Sequence, residues 1–596
     1  MTFASVLAVI VAGLGLAVPT APAVPPVAPV APVAPVEARP CPVAVPAGTT
    51  CGFLLVPQRR DVPDGRMIKV GYAVHRSTAA DRKPDPIVYS SGGPGSPSLQ
   101  LTGFLVRAPF GRDRDVVVIE QRGSRLSEPH LRCPEVERSL LDSLSRPGRD
   151  AAEAEALTAA ARTCKARLTA DGDDLRGYTT AEIAADVIAL RSALGYRSWN
   201  LFGVSYSTRS MLAAAAADPA GTRSVVLDSF LPAQIDQYDA VAPNLRAALD
   251  RVTPGLSAKL LQVVQRLNRH PVSVPITDPL TGGRRTLHLT GDDVGSLIGE
   301  GMQDPDVVTA VPALVQALVD GRDDLLGPVG QVAAQLLGSH DLGLYYAVNC
   351  QDEVPFNTFG ADTGPRSLFS DTDPAVCRGL ALPPGSDAPG ATDAPVLVVG
   401  GTFDAATPVA AARTDASARL PRSTVVEFAG VSHAVFLTNR CGRETIAAFL
   451  DAPAGFTPPC DPAVSPYRTL QPGERYLTTR AYALATGPWW TVAAPAALVI
   501  VCLLAVVLGA LRRRPTLILA GLAGAGALGT AAWLLVDVAA TNPASLLVGV
   551  PWTVAWCAVL AGALPAAIGL AVIRRGVVPG LLAATSAAYL LWWFTG

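Results

Sequence analysis

The stretch Asn200-Leu-Phe-Gly-Val-Ser-Tyr-Ser-Thr208 reads as a strand, a sharp turn and a helix. Trp199 to Phe202 is a short apolar run ending at Gly203, and from Ser210 the text becomes rich in Ala and Leu, as a helix would be. Ser205 lies between two small residues, Gly203 and Ser207. Strand and helix nearly touch at such an elbow, so the positions two before and two after the serine must be small. The serine's backbone is strained and its hydroxyl projects from the top of a sheet. The usual pattern has glycine at both flanking positions; this chain has serine at the second. Taken alone, the pattern fits a surface turn as well as a nucleophile.

Working outward, Cys51–Pro57 and Met67–Val74 alternate like strands. Pro86–Tyr89, Val116–Ile119, Ser224–Asp228, Pro395–Val399 and Ser423–Phe428 are short apolar runs that suit a sheet buried on both faces. Ala151–Leu168 and Thr179–Leu194 read as helices, the second with Thr180 as its cap and Ile183, Val187, Leu190 and Leu194 at helical spacing. From Ala233 to about Tyr346 the text is helical apart from a hairpin signal near Thr286–Leu289. The alternation predicts an α/β fold with one inserted helical cap. Its core covers residues 41–232 and 350–480, and the cap covers 233–349.

A serine hydroxyl needs a base to take its proton. Of six histidines, only His433 follows a late sheet strand, in Gly430-Val-Ser-His433. A histidine in that role needs an acid to fix its tautomer. Asp404 follows Pro395–Val399 in a Gly-rich turn, and Asp228, also at a strand end, is the alternative acid. The order Ser205, Asp404, His433 is the α/β-hydrolase order. Gly92-Gly-Pro-Gly95 follows an early strand. Its exposed N–H groups suit an oxyanion, pairing Gly93 with Tyr206, the residue after the serine.

The ends of the chain point to a membrane. Hydrophobic residues make up 49% of it, and a net charge of −2 gives no reason to expect a nucleic-acid partner. Residues 1–23 resemble a signal peptide without the usual basic start, and residues 24–40 form a Pro/Ala/Val linker expected to be an extended spacer. In the region 488–596, four apolar runs (Trp490–Leu511, Thr516–Val536, Ser545–Ile573 and Val577–Phe594) are each long enough to cross a hydrocarbon layer of about 30 Å. Arg512–Arg514 and Arg574–Arg575 fall on one side of such a bundle, which places them in the cytoplasm and the large domain outside. Ten cysteines fit that oxidising compartment. Eight lie outside the spans, and the simplest pairing joins sequential neighbours: Cys41–Cys51, Cys133–Cys164, Cys350–Cys377 and Cys441–Cys460. Cys502 and Cys557 should stay free. There is no Cys-x-x-Cys or His-x-x-x-His, so no metal is expected.

Gly-Gly-Pro-Gly95, Gln121-Arg-Gly-Ser124, Tyr178-Thr-Thr180, Gly203-Val-Ser-Tyr-Ser207, Asp404-Ala-Ala-Thr-Pro408 and His433 resemble the proline iminopeptidase and secreted tripeptidyl aminopeptidase group of α/β-hydrolases, over roughly Cys41 to Cys460. Ser207 and Glu120 depart from that group's glycine and aspartate, and the spans are foreign to its secreted form. The resemblance implies release of residues from a free peptide N-terminus. Ser205 would form the acyl-enzyme, His433 shuttle the proton and Asp404 orient it, with no cofactor. It also implies acidic groups that meet the substrate amine, assigned here to Asp352 and Glu353 in Cys350-Gln-Asp-Glu353. Two other readings stand beside it: an esterase or lipase acting on envelope or lipid esters with the same triad, and a non-catalytic scaffold.

Overall fold

The computed structural model describes residues 34–595 apart from 147–150, 234, 340, 361–367, 387–389, 466, 488 and 573–575. The signal-peptide segment, most of the linker and Arg574–Arg575 lie outside the described residues.

The strands in chain order are β1 Val36–Arg39, β2 Thr49–Pro57, β3 Met67–His75, β4 Ile87–Ser90, β5 Val116–Ile119, β6 Trp199–Val204, β7 Thr222–Asp228, β8 Val272–Thr277, β9 Arg284–Leu289, β10 Val396–Gly401 and β11 Ser423–Phe428. Nine of them form one mixed sheet in the order β1-β2-β3-β5-β4-β6-β7-β10-β11. The first three are joined antiparallel and the rest run parallel from β5 to β11. β4, β5 and β6 are buried along their whole length, which is why they carry no alternation.

Two expectations for the first half are corrected. The spacer does not run to Pro40: Val36–Arg39 pairs with β2 as an edge strand. Prolines give way there to Val-Glu-Ala-Arg, whose backbone can join a ladder that a proline would interrupt. The helix Thr180–Ala193 is capped by Thr179, whose side chain accepts the Glu182 N–H, not by Thr180.

The cap contains the helices Gln237–Val252, Leu256–Arg269, Gly291–Gly301, Pro305–Val319 and Leu326–Ser339 together with the β8–β9 hairpin. All four local disulfides are present, and Cys502 and Cys557 are free.

The C-terminal region has four helices long and apolar enough to cross a membrane: Trp489–Leu511, Pro515–Thr541, Trp552–Ala571 and Val577–Phe594. The third begins later than its apolar text. Pro543–Leu547 is a short 3-10 turn, Gly549 has φ +129°, and Val550–Pro551 forms a strand, β13, against β12, Arg475–Tyr476. Large apolar side chains such as Ile500, Leu519, Trp533 and Leu591 stand more than half exposed around the bundle, where a bilayer would cover them. The cap and the end of the core rest on one end of it: Asn542 donates to Thr309 Oγ1 of the cap at 2.8 Å, and Trp552 Nε1 donates to Gly473 O of the core at 2.9 Å. Arg512–Arg514 closes the helix that starts at this end, so it lies at the opposite end of the bundle.

Candidate active site

Ser205 follows β6 with φ +55°, in the left-handed region that a non-glycine residue occupies only where its surroundings impose it. A Cβ on Gly203 would lie 2.7 Å from Ser207 O, so the strand and the helix Ser207–Ala217 leave no room for a side chain there. The serine at 207 is accommodated by its hydroxyl. Ser207 Oγ accepts the Val204 N–H at 2.8 Å and lies 2.7 Å from Ser90 O and 2.9 Å from Val204 O, donating to one of them. It pins the elbow to β4 where glycine would leave a gap.

Asp404 and His433 meet across the loops after β10 and β11. His433 Nδ1 lies 2.9 Å from Asp404 Oδ2, and the loops are joined by Phe403 N–H donating to Val431 O at 2.9 Å. Thr407 completes the arrangement. Its N–H donates to Asp404 Oδ1 at 2.8 Å, its hydroxyl donates to Oδ2 at 2.7 Å, and Oγ1 lies 3.2 Å from His433 Nδ1. Burial alone would push the Asp404 carboxyl up, but His433 and the Thr407 donors outweigh it and hold it below the usual range. Burial alone would lower His433; Asp404, Asp228 and Glu300 outweigh that and raise it. With Nδ1–H turned to Asp404, Nε2 is left free to take a proton. Asp228 does not serve as the acid: its carboxylate accepts the N–H groups of Val435 and Phe436 instead of the imidazole.

Ser205 and His433 line one cavity of about 510 Å³, closed over by the cap and walled largely by apolar side chains such as Leu101, Leu231, Val241 and Leu342. That volume lies in the range of small-molecule sites, ~300–1,000 Å³. The Gly-Gly-Pro-Gly loop forms one wall. A Cβ on Gly92 would lie 2.7 Å from Ser205 Cβ, and Gly93 has φ +108°. Gln121 holds this loop, accepting the Gly95 N–H at 2.9 Å and donating to Ser91 O and Gly92 O. Glu120 supports its far end through the N–H groups of Ser98 and Leu99, and burial pushes its carboxyl up to about 7. Gly93 and Tyr206 both line the cavity, and among the described residues neither backbone N–H has a protein acceptor.

The proposed amine pair is split. Consecutive residues at a helix end point in different directions, and the helix Leu342–Asp352 ends there. Asp352 lies outside the cavity and accepts the Thr180 N–H at 2.5 Å, stabilising the start of a core helix. Glu353 does line the cavity, but it pairs with the buried Arg209 guanidinium and accepts from Asn357 at 2.7 Å. A further carboxylate, which the sequence reading did not single out, is Glu300, near the C-terminal end of the cap helix Gly291–Gly301. It lines the cavity and keeps part of its surface open; among the described residues it accepts only from Gln303 Nε2, at 2.7 Å, and forms no salt bridge. Burial pushes it up to about 7 against the pull of His433 and Gln303. The negative end of the helix dipole adds to its attraction for a cation. Among the described residues no cluster of three or more His, Cys, Asp or Glu could hold a metal ion.

A family model described as alpha/beta hydrolase fold matches residues 85–440. Serine protease Hip1 of Mycobacterium tuberculosis is 27% identical over 495 residues, covering 71% of this chain and 90% of that protein. A tripeptidyl aminopeptidase of Streptomyces lividans is 25% identical over 193 residues, 31% of this chain and 36% of that one. A proline iminopeptidase of Mycobacterium smegmatis, known from a crystal structure, is 17% identical with a TM-score of 0.34, covering 67% of this chain and 98% of its own.

Proposed function

The chain belongs to the α/β-hydrolase family, and we propose that within it this protein is a membrane-anchored serine aminopeptidase facing away from the cytoplasm. The observation that carries the reading is one cavity lined by Ser205 on its strained elbow, by His433 bonded to Asp404, and by Glu300, a carboxylate with no salt bridge among the described residues. The relatives named serine protease and tripeptidyl aminopeptidase support a peptide substrate.

In this reading the substrate ammonium pairs with Glu300 and the scissile carbonyl sits over Ser205. The Ser205 hydroxyl proton passes to His433 Nε2 as Oγ attacks the carbonyl carbon. The developing oxyanion is met by the N–H groups of Gly93 and Tyr206. Collapse breaks the C–N bond, with His433 returning the proton to the leaving amine. Water then repeats the sequence and frees the acyl group. Asp404 and Thr407 hold the imidazole throughout. The outward orientation draws on two features: four disulfides, which persist in oxidising compartments, and the basic Arg512–Arg514 at the end of the bundle remote from the catalytic unit.

The test is mass analysis of products from unblocked peptides and from an acyl ester, using the purified full-length protein with Ser205→Ala as blank. Fragments released from the N-terminus support the reading. Turnover of the ester with intact peptides moves the esterase reading ahead. Internal cleavage of the peptides refutes the exopeptidase mode.

A further inference from the structure

Asp228 is fully buried at the end of β7, between the strand that leads to Ser205 and the strand that leads to Asp404. It does not line the cavity. Its carbonyl accepts the Ser205 N–H at 3.0 Å. Its carboxylate accepts the Val435 N–H at 2.9 Å and the Phe436 N–H at 2.7 Å, two and three residues beyond His433. Ser229 takes the remaining donor: its Oγ accepts the Ala434 N–H at 2.9 Å, while its own N–H donates to Val399 O at 2.8 Å. Ser205, Ser229 and Ala434 have φ of +55°, +52° and +58°. Three non-glycine residues in the left-handed region thus share one hydrogen-bonded patch, and strain of ~1–3 kcal/mol each persists only where neighbours over-determine the backbone.

We propose that Asp228 is a positioning residue that ties the histidine loop to the nucleophile elbow and so sets the approach of His433 to Ser205. This rests on the assignment of Ser205 as nucleophile and goes beyond it. The N–H groups of three successive residues after the histidine converge on Asp228 and Ser229, while Asp228 C=O holds the nucleophile's own N–H. Asp228 thus bonds the histidine loop through its carboxylate and the elbow through its backbone C=O. The carboxylate also acts on the imidazole through space. His433 is faced by Asp404 from the loop after β10, by Asp228 from β7 and by Glu300 from the cap, and all three favour its protonated form.

The test compares the full-length protein with Asp228→Asn and Ser229→Ala in detergent. The readout is the rate of Ser205 phosphonylation by a fluorophosphonate across pH. In that step the Oγ–P bond forms, P–F breaks, fluoride leaves, and the hydroxyl proton goes to His433. An amide at 228 can accept one of the two N–H groups but turns its own NH₂ on the other, so the loop must shift. A displacement of ~1 Å at a reacting group costs up to ~100-fold. We expect Asp228→Asn to be about 10- to 100-fold slower per folded molecule, with KM for a turned-over substrate unchanged and the acid limb of the rate profile moved to lower pH. Ser229→Ala should be slowed in the same direction by a smaller factor, without the pH displacement. A purely structural role would lower the melting temperature and the labelled fraction while leaving the rate per labelled site and the acid limb where they are; that result overturns the proposal. Wild-type protein that is not labelled at Ser205 overturns the nucleophile assignment itself, and this proposal with it. If Asp228→Asn does not fold, a wild-type rate per site in Ser229→Ala overturns it.

Discussion

On the proposed function, Glu300→Gln should make the protein more stable and at once weaken its binding of free-amine peptides. The side chain keeps its shape and its bond from Gln303, and loses only the charge. In the folded state burial moves the carboxyl from 4.5 to about 7. The native protein therefore binds the proton to a higher pH than the unfolded chain does. Stability falls as pH rises from about 4.5 to about 7, and the deficit is fully present above that. A displacement of this size represents up to ~3 kcal/mol, and the part of the side chain open to the cavity reduces it to ~1–2 kcal/mol. Glu300→Gln should thus melt above wild type at pH 8 and level with it near pH 4. Binding moves the other way. Removing one partner of a desolvated charge pair costs ~2–5 kcal/mol, or at least ~30-fold in KM for a free-amine peptide. An uncharged acyl ester should keep its KM. In wild type, KM for the peptide should also fall as pH rises through about 7 while the substrate amine is still charged; in the variant it should not. The assays are thermal melts at the two pH values and steady-state kinetics on matched peptide and ester. Equal losses on both substrates would remove Glu300 from amine recognition. A variant that melts below wild type at pH 8 would refute the burial argument.

Ser205→Ala and His433→Ala should each lower kcat by ~10⁴- to 10⁶-fold, with Asp404→Asn heavily but less impaired; progress curves on any turned-over substrate decide it. Asp352→Asn should lower the melting temperature and leave KM for free-amine peptides within about twofold, because the carboxylate supports the Thr180 helix end and not the cavity. Glu353→Gln leaves the buried Arg209 without its counter-ion and should cost ~3–5 kcal/mol in denaturant unfolding. A reporter active only in the cytoplasm should stay silent when fused after Thr595 and signal when fused after Arg513, since the two positions close helices at opposite ends of the bundle.

Much of the site was legible because it is written locally. Gly203-x-Ser205 marks a close approach that any reader of spacing can recognise, and Asp404 and His433 each follow an apolar strand. The cysteines pair with their sequence neighbours, so proximity along the chain was enough. What escaped depends on partners distant in sequence. Val36–Arg39 is a strand only because β2 offers an unpaired edge. Thr179 and Thr180 are equally good caps by type, and only the backbone chooses between them. Ser207 departs from the motif by residue type alone, and its compensation, a hydroxyl bonding at β4, involves a partner over a hundred residues away. Asp352 and Glu353 read as one acidic pair in the sequence, but the helix end separates them and only Glu353 lines the cavity. Glu300 sits in a Gly-rich cap helix with no motif around it. Its significance comes from the cavity it enters and from the basic partner it lacks among the described residues.

The most direct measurement is kcat/KM of the purified full-length protein on an unblocked peptide and on its N-acetylated twin, with Ser205→Ala subtracted. Acetylation removes the charge that Glu300 meets in the proposed function and leaves the scissile bond unchanged. The account predicts a preference for the unblocked peptide of at least ~30-fold, and no residual turnover in the Ser205 variant. Equal or faster cleavage of the acetylated peptide, or a Ser205→Ala protein that keeps even about a tenth of the rate, would contradict it.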